Sequence, residues 1–246
     1  MSALTNNRGI STPQNLLDLI LDDWRAVRKF TTASWSARRQ REMLAAYRFL
    51  VGKIDAAIID SKERGAGDEA NLWRAGQTLL KSVASELRMW ILLKESDSDS
   101  AWNAYCDAEQ YALNARRWLP DDFEPAKDQV GHLALVETIA FPEQPYFFSS
   151  GLIVGLEVCT VCESEYGSCE HLVGELYCGE MCARRCEEIK ECLEVSLVKQ
   201  PADKRCRIKD AGGVDPLTGD TPRGAAKAPP KEAKAQEAAE TEGTIA

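Results

Sequence analysis

The 246-residue sequence contains no apolar run long enough to cross a membrane, because a spanning helix needs about 18 or more consecutive apolar residues. Its beginning, MSALTNNRGISTPQ, also lacks the apolar stretch of a secretory signal. Together these absences predict a cytoplasmic protein that makes no membrane contact. Because disulfides are rare in that reducing compartment, the nine cysteines are expected to be metal ligands rather than a disulfide framework.

The sequence also has fewer basic than acidic residues. The chain has 30 Lys and Arg against 39 Asp and Glu, which gives a net charge of -9. Nucleic-acid phosphates and anionic lipids repel a molecule of that sign. The sequence also lacks the nucleotide-binding motifs G-x-x-x-x-G-K-S/T and G-x-G-x-x-G. We therefore expect a protein partner, and neither a nucleic acid nor a membrane.

Residues 11–119 carry apolar side chains at the three- and four-residue spacing of amphipathic helices. Thr12-Pro13 is typical of a helix start, with a capping residue followed by proline in the first turn. The runs GAGD and ESDSDS interrupt the pattern at residues 65–68 and 95–100. Four helices joined by short loops predict an antiparallel bundle over residues 1–120.

The pattern changes at Pro120. Residues 132–140 and 147–158 are rich in branched and aromatic side chains and predict two strands, and residues 193–198 alternate like a third. These segments predict a small β-rich, zinc-binding domain over residues 121–210. Residues 211–246 have almost no large apolar side chains and are expected to form a disordered tail. The predicted fold class is therefore α+β.

The strongest motif is Cys159-x2-Cys162, followed after six residues by Cys169-x-His171. Zinc prefers four thiolate or imidazole ligands in a tetrahedron, and a C-x2-C turn places two thiolates on one side of the ion. Four protein ligands leave no position for an activated water. The motif therefore predicts one structural Zn²⁺ in a loop with almost no core of its own.

Three further cysteines, Cys178, Cys182 and Cys186, recur every four residues. On a helix they would form one stripe. Two interpretations stay open: the stripe takes part in a second metal site, or it is the small apolar face of a short helix, since free cysteine packs like a small hydrophobe.

The order of elements in the last third of the chain resembles a known family. Phe148-Ser149-Ser150-Gly151, the Cys159–His171 motif and LEVSLVKQPADKRCRI at residues 193–208 resemble the C-terminal part of the prohead (capsid-maturation) proteases of tailed phages. The likeness covers about residues 146–208. It implies a small β-barrel or sandwich element that carries a zinc loop. It also implies a candidate nucleophile at Ser149 or Ser150.

Two functions follow as hypotheses. The first is a zinc-stabilised, non-enzymatic interaction or assembly module of phage or prophage type. The alternative is a serine peptidase, which needs a base beside Ser149 or Ser150. The chain has two histidines, and with His171 assigned to zinc only His132 could act as that base. A hydrogen-bonded structural role is the other interpretation of His132.

Overall fold

The computed structural model describes residues 10–141 and 147–208, and within them the chain has the predicted α+β architecture. The predicted disordered tail lies outside the described residues. Six helices precede the strands: α1 (Pro13–Asp22), α2 (Trp24–Arg28), α3 (Ala37–Glu63), α4 (Gly67–Lys94), α5 (Ser98–Trp118) and α6 (Glu124–Ala140). The strands are β1 (Phe147–Cys159), β2 (Leu176–Tyr177), β3 (Glu180–Met181) and β4 (Arg184–Val198).

The helix starts follow from capping side chains. The Thr12 hydroxyl accepts a hydrogen bond from the amide of Asn15 at 3.2 Å, and Asp97 accepts one from Ser100 at 3.0 Å. Each side chain satisfies an amide that has no partner within its helix. Gly65, at φ 73°, makes the left-handed turn that separates α3 from α4. The predicted break between these helices is therefore confirmed.

Two apolar clusters hold the helices together. The larger one joins α1, α3 and α4 around fully buried residues such as Leu16, Ile54 and Leu79. The smaller one contains the aromatic side chains of Trp102, Tyr105 and Phe141. None of the helices in the described residues is long and apolar enough to span a membrane.

The strand predicted at residues 132–140 is wrong, because this segment forms the second half of α6. Its buried side chains include Gln129, Leu133 and Val136, which follow one another at helical spacing. Burial of that face outweighs the strand preference of the branched residues, which is a weak and context-dependent effect. The helical region therefore continues past Pro120 to Ala140.

β1 and β4 pair antiparallel along their whole length and form a two-stranded ribbon. The strands predicted at residues 147–158 and 193–198 are confirmed, but β4 begins earlier, at Arg184. Four shifts of register interrupt the pairing between Gly151 and Glu157. Within the described residues the strands form two two-stranded sheets, rather than the barrel or sandwich that the resemblance implied.

The ribbon is attached to the helices at both of its ends. At one end, the base, Phe147 is buried in the smaller cluster, and the Trp102 indole donates a 2.9 Å hydrogen bond to the Lys204 carbonyl. At the other end, the tip, the Trp118 indole donates a 2.7 Å hydrogen bond to the Gly174 carbonyl. Trp102 and Trp118 lie near opposite ends of α5. The ribbon therefore lies alongside this helix.

Candidate metal centre

The tip of the ribbon brings together the four residues of the predicted zinc motif. The ligand atoms of Cys159, Cys162, Cys169 and His171 all lie within 4.8 Å of one another. Cys159 ends β1 and is completely buried, whereas Cys162 is exposed and the other two are half-buried. The four side chains thus converge on one point at the protein surface. They form a cluster that could bind a metal ion.

Two tight turns produce this convergence. In the first, the amide of Glu163 donates to the Cys159 carbonyl at 2.9 Å, and Glu163 itself has a left-handed φ of 58°. In the second, Gly167 has a φ of 97°, a conformation that glycine adopts without a steric penalty. The chain thereby reverses twice between the C-x2-C pair and the C-x-H pair.

The separation of Cys159 and His171 fits tetrahedral coordination. With Zn–S near 2.3 Å and Zn–N near 2.0–2.1 Å, a tetrahedral edge between sulfur and nitrogen is about 3.6 Å, and one between two sulfurs is about 3.8 Å. The distance from Cys159 Sγ to His171 Nδ1 is 3.6 Å. An ion of zinc's size therefore fits between these two atoms without a rearrangement of the chain.

Hydrogen bonds at the C-x2-C turn favour the thiolate form of its cysteines. Burial opposes ionisation of Cys159, but the amides of Cys162 and Val161 point at its sulfur and lower its pKa to about 7. Hydrogen bonds from Ser164 lower the pKa of Cys162 as well. The pKa of Cys169 is raised: the His171 amide lowers it, but burial and the two neighbouring thiols outweigh that effect. A bound metal cation would offset the repulsion between neighbouring thiolates, because cysteine binds metal in its thiolate form.

The imidazole of His171 is held against an aromatic ring. Its centroid lies 4.5 Å from that of Tyr177, with the rings nearly perpendicular at 79°. The Tyr177 hydroxyl in turn accepts a 2.9 Å hydrogen bond from the amide of Leu172. Tyr177 therefore fixes both the ring and the backbone that follows it. Residues around a metal site that orient its ligands in this way raise its affinity.

The helical stripe predicted for Cys178, Cys182 and Cys186 is wrong. The three residues lie in the β2–β3 turn, beyond β3 and on β4, so a spacing of four does not align them. Cys178 and Cys186 are exposed, and no second cluster of metal-binding side chains occurs among the described residues. Cys182 is fully buried with its sulfur 3.7 Å from that of Cys159, which is also the length of a tetrahedral edge.

Cys182 is thus a further thiol beside the cluster, in contact with Cys159, that the motif did not reveal. Burial, together with the nearby Cys159 thiol, raises its pKa to about 11. As a protonated thiol it can donate a hydrogen bond to the Cys159 thiolate. The available signal in the sequence was the surplus of cysteines beyond the four of the motif, but the partner of each depends on the β2–β3 hairpin.

The tip docks on the helices through backbone groups of this hairpin. The amide of Gly179 donates to the Asn71 side chain at 2.7 Å, and its carbonyl accepts from Arg74 at 2.8 Å. Gly179 has a φ of 76°, and an added Cβ would lie 2.8 Å from Ile58 Cγ2 and 3.2 Å from the Ala70 carbonyl. Only glycine fits such a close approach of two backbones.

The residues of the alternative peptidase hypothesis do not form a unit. Ser149 and Ser150 lie on β1, paired with Ser196 and Val195 of β4. His132 lies on α6, and its Nε2 is 2.7 Å from the fully buried carboxylate of Glu86. Its hydrogen-bond partner in the described chain is therefore Glu86 and neither serine.

No known protein family, curated protein or solved structure matches this chain. Function is therefore inferred from the geometry of the metal cluster and of the ribbon.

Proposed function

We propose that the protein is a non-enzymatic interaction module whose β ribbon is held at its tip by one structural zinc ion. Three thiols and an imidazole make a soft donor set, which suits zinc and does not suit the oxygen-seeking Mg²⁺ or Ca²⁺. All four tetrahedral positions would be filled by Cys159, Cys162, Cys169 and His171. The ion would then stabilise the loop and would have no open position for catalysis.

The observation that carries the interaction function is the apolar face of the ribbon. Paired residues of two antiparallel strands project to the same face, so Phe148 and Leu197 share a face, and so do Val154 and Ile189. Leu193, Val195 and Leu197 are 60%, 64% and 58% exposed. Contiguous apolar patches of more than a few hundred Å² are rare on monomeric proteins and mark interaction sites.

The charges of the ribbon indicate the chemistry of the partner. Arg184 and Arg185 are paired with glutamates at the tip. The middle of β4 contributes Glu188, Glu191 and Glu194 against a single lysine. We infer a protein partner whose apolar centre is bordered by lysine or arginine side chains. The resemblance of residues 146–208 to prohead proteases suggests phage-type assembly as the setting, which stays a prediction.

Metal content of the purified full-length protein tests the zinc part of the proposal. Inductively coupled plasma mass spectrometry should find one zinc per chain. The double variant Cys159→Ser and Cys162→Ser should lose it, whereas Cys186→Ser, which removes an exposed thiol of β4, should keep it. Zinc that survives in the double variant would contradict the assignment of these ligands.

Affinity capture with a matched control tests the interaction part. The tagged chain is used to capture partners from cells of its source, and quantitative mass spectrometry compares Leu193→Ser/Val195→Ser with Phe49→Ser, which changes a 63% exposed side chain on α3. A protein retained by the wild type and by Phe49→Ser, but lost with the ribbon variant, supports the proposal. A partner retained equally by all three chains would rule out this face.

A further inference from the structure

A cleft of about 340 Å³ lies between the helices and the tip, and its lining includes none of the four residues of the zinc motif. Its floor is built from two helix faces: Arg74, Thr78 and Lys81 follow one another at helical spacing on α4, and so do Tyr111, Asn114 and Trp118 on α5. Its wall is formed by Gly179, Glu180 and Met181 of the β2–β3 hairpin, together with Thr160, whose hydroxyl donates a 3.2 Å hydrogen bond to the Met181 carbonyl. Pockets that hold small molecules have volumes that begin near 300 Å³.

Lys81 is unusual in this cleft because its charge has no partner. Lys81 and Lys204 are the two half-buried lysines among the described residues. Lys204 contacts the carboxylates of Glu109 and Glu137 at 2.7 and 2.8 Å. Lys81 makes no hydrogen bond or ion pair with the described part of the chain. Partial burial draws this cation away from water, and the described chain supplies no counter-charge in return.

The surroundings of Lys81 increase that cost. Burial lowers the pKa of Lys81, the nearby guanidinium of Arg74 lowers it further, and Asp55 opposes them only in part. The carboxylates nearby are already engaged, since Asp55 accepts a 2.7 Å hydrogen bond from Gln77, and Glu180 pairs with Lys62. Arg74 lies 3.5 Å from Asp55, so Lys81 is the cation of the cleft that has no carboxylate within ion-pair distance in the described part of the chain.

The Tyr111 hydroxyl also lacks a hydrogen-bond partner among the described residues, although it lines the same cleft. The ring of Trp118 and the thioether of Met181 supply apolar surface beside it. We propose that this cleft binds a small organic anion, with its carboxylate or phosphate at Lys81 and Tyr111 and its apolar part against Trp118 and Met181. This site is independent of the proposed partner of the ribbon.

NMR titration of the zinc-loaded full-length chain tests the proposal with two probes, phenyl phosphate and benzoate, and with benzyl alcohol as the uncharged comparison. We expect saturable shifts of the amide signals of Lys81, Tyr111 and Met181 with at least one anion, and none with the alcohol. Which anion binds identifies the headgroup. The absence of saturable shifts with both anions would overturn the proposal.

Two lysine variants supply the controls. Lys81→Met should weaken binding about tenfold or more, because a hydrogen bond to a charged group is lost. Lys53→Met, which removes an exposed lysine of α3, should leave binding unchanged. Lys81→Met should also raise the thermal unfolding temperature, whereas loss of a structural lysine would lower it. Equal weakening by both variants, or a lower unfolding temperature for Lys81→Met, would contradict the assigned role of Lys81.

Discussion

The two ends of the ribbon are held to the same helix by different means. At the base, Phe147 and Phe141 join the rings of Trp102 and Tyr105 in a buried cluster. At the tip the loop contributes two fully buried side chains, Cys159 and Cys182, and docks mostly through backbone hydrogen bonds. Aromatic burial can hold a chain segment without a cofactor. A loop without such side chains needs a metal ion or a disulfide for the same purpose.

The ion pairs at the two ends of the ribbon also differ, because those at the base are more buried than those at the tip. Lys204 at the base contacts two carboxylates and lies over the Tyr105 ring at 5.6 Å. The ion pairs of the tip, such as Arg117 with Glu175, are largely exposed to solvent. Exposed pairs contribute about 0–1 kcal/mol. If the proposed zinc site is right, the base should be stable without an ion, whereas the tip should depend on the ion bound by Cys159, Cys162, Cys169 and His171.

Metal removal should have the largest effect and should be confined to the tip. Structural zinc contributes on the order of 10 kcal/mol of binding free energy in small zinc domains. After treatment with a chelator, hydrogen exchange should accelerate across residues 157–183 and stay slow in α4 and α5. Loss of protection throughout the helices would show that the two regions are not independent.

Trp102→Ala should have the next largest effect, and it should act on the whole molecule. The ring is 2% exposed, so its removal should lower the free energy of unfolding by about 3–5 kcal/mol. Chemical denaturation followed by circular dichroism measures the change, and zinc content measures the state of the tip. Helices that keep their wild-type stability in a variant that loses zinc at lower denaturant concentrations than the wild type would contradict the assignment of Trp102 to the base.

Gly179→Ala should detach the tip from α4, and Gly167→Ala is its matched control. Both glycines have left-handed φ values, so either alanine carries a strain of about 1–2 kcal/mol. Only the Cβ at position 179 would also clash, with Ile58 and the Ala70 carbonyl, whereas nothing lies within 4 Å of one at position 167. Hydrogen exchange of Gly179 and Cys178 should therefore accelerate more in the first variant. Equal acceleration would mean that the close approach does not matter.

Arg117→Gln should have the smallest effect. Its guanidinium contacts Glu175 at 2.5 Å, but both side chains are more than two-fifths exposed. The unfolding free energy should fall by less than about 1 kcal/mol, and less still at high salt. A larger loss would indicate that ion pairs, and not only the metal and the backbone contacts, hold the tip.

The cluster of Cys159, Cys162, Cys169 and His171 could be predicted from the sequence because all four residues lie within one short loop, where spacing alone limits their geometry. Cys182 could not, since the β2–β3 hairpin brings it to Cys159 from a separate segment. The spacing of Cys178, Cys182 and Cys186, four residues apart, suggested a helix. This prediction was wrong, because the chain there forms turns and a strand.

The helices and strands also differ in how far their local sequence predicts them. Helices α1, α3, α4 and α5 carry regular buried faces and were predictable. The short α2 buries only Val27 and was not predicted as a separate helix, so the described helical region before Pro120 has five helices and not four. The first half of β4 is exposed at every position, so its sequence RRCEEIKEC has no alternation between buried and exposed residues that would indicate a strand. For α6, the branched residues pointed to a strand, and only the packing of Leu133 and Val136 into the smaller cluster decides for a helix.

The register shifts of the ribbon have a consequence for aggregation. A two-stranded ribbon has two free edges, and a long flat edge readily adds strands from other molecules. The shifts between Gly151 and Glu157 bend and twist the ribbon, and charged side chains recur along β4 from Arg184 to Glu194. Neither edge is therefore a good template for amyloid-like growth. The ribbon can therefore expose an apolar surface without promoting strand addition, because that surface lies on a face of the ribbon and not along its strand edges.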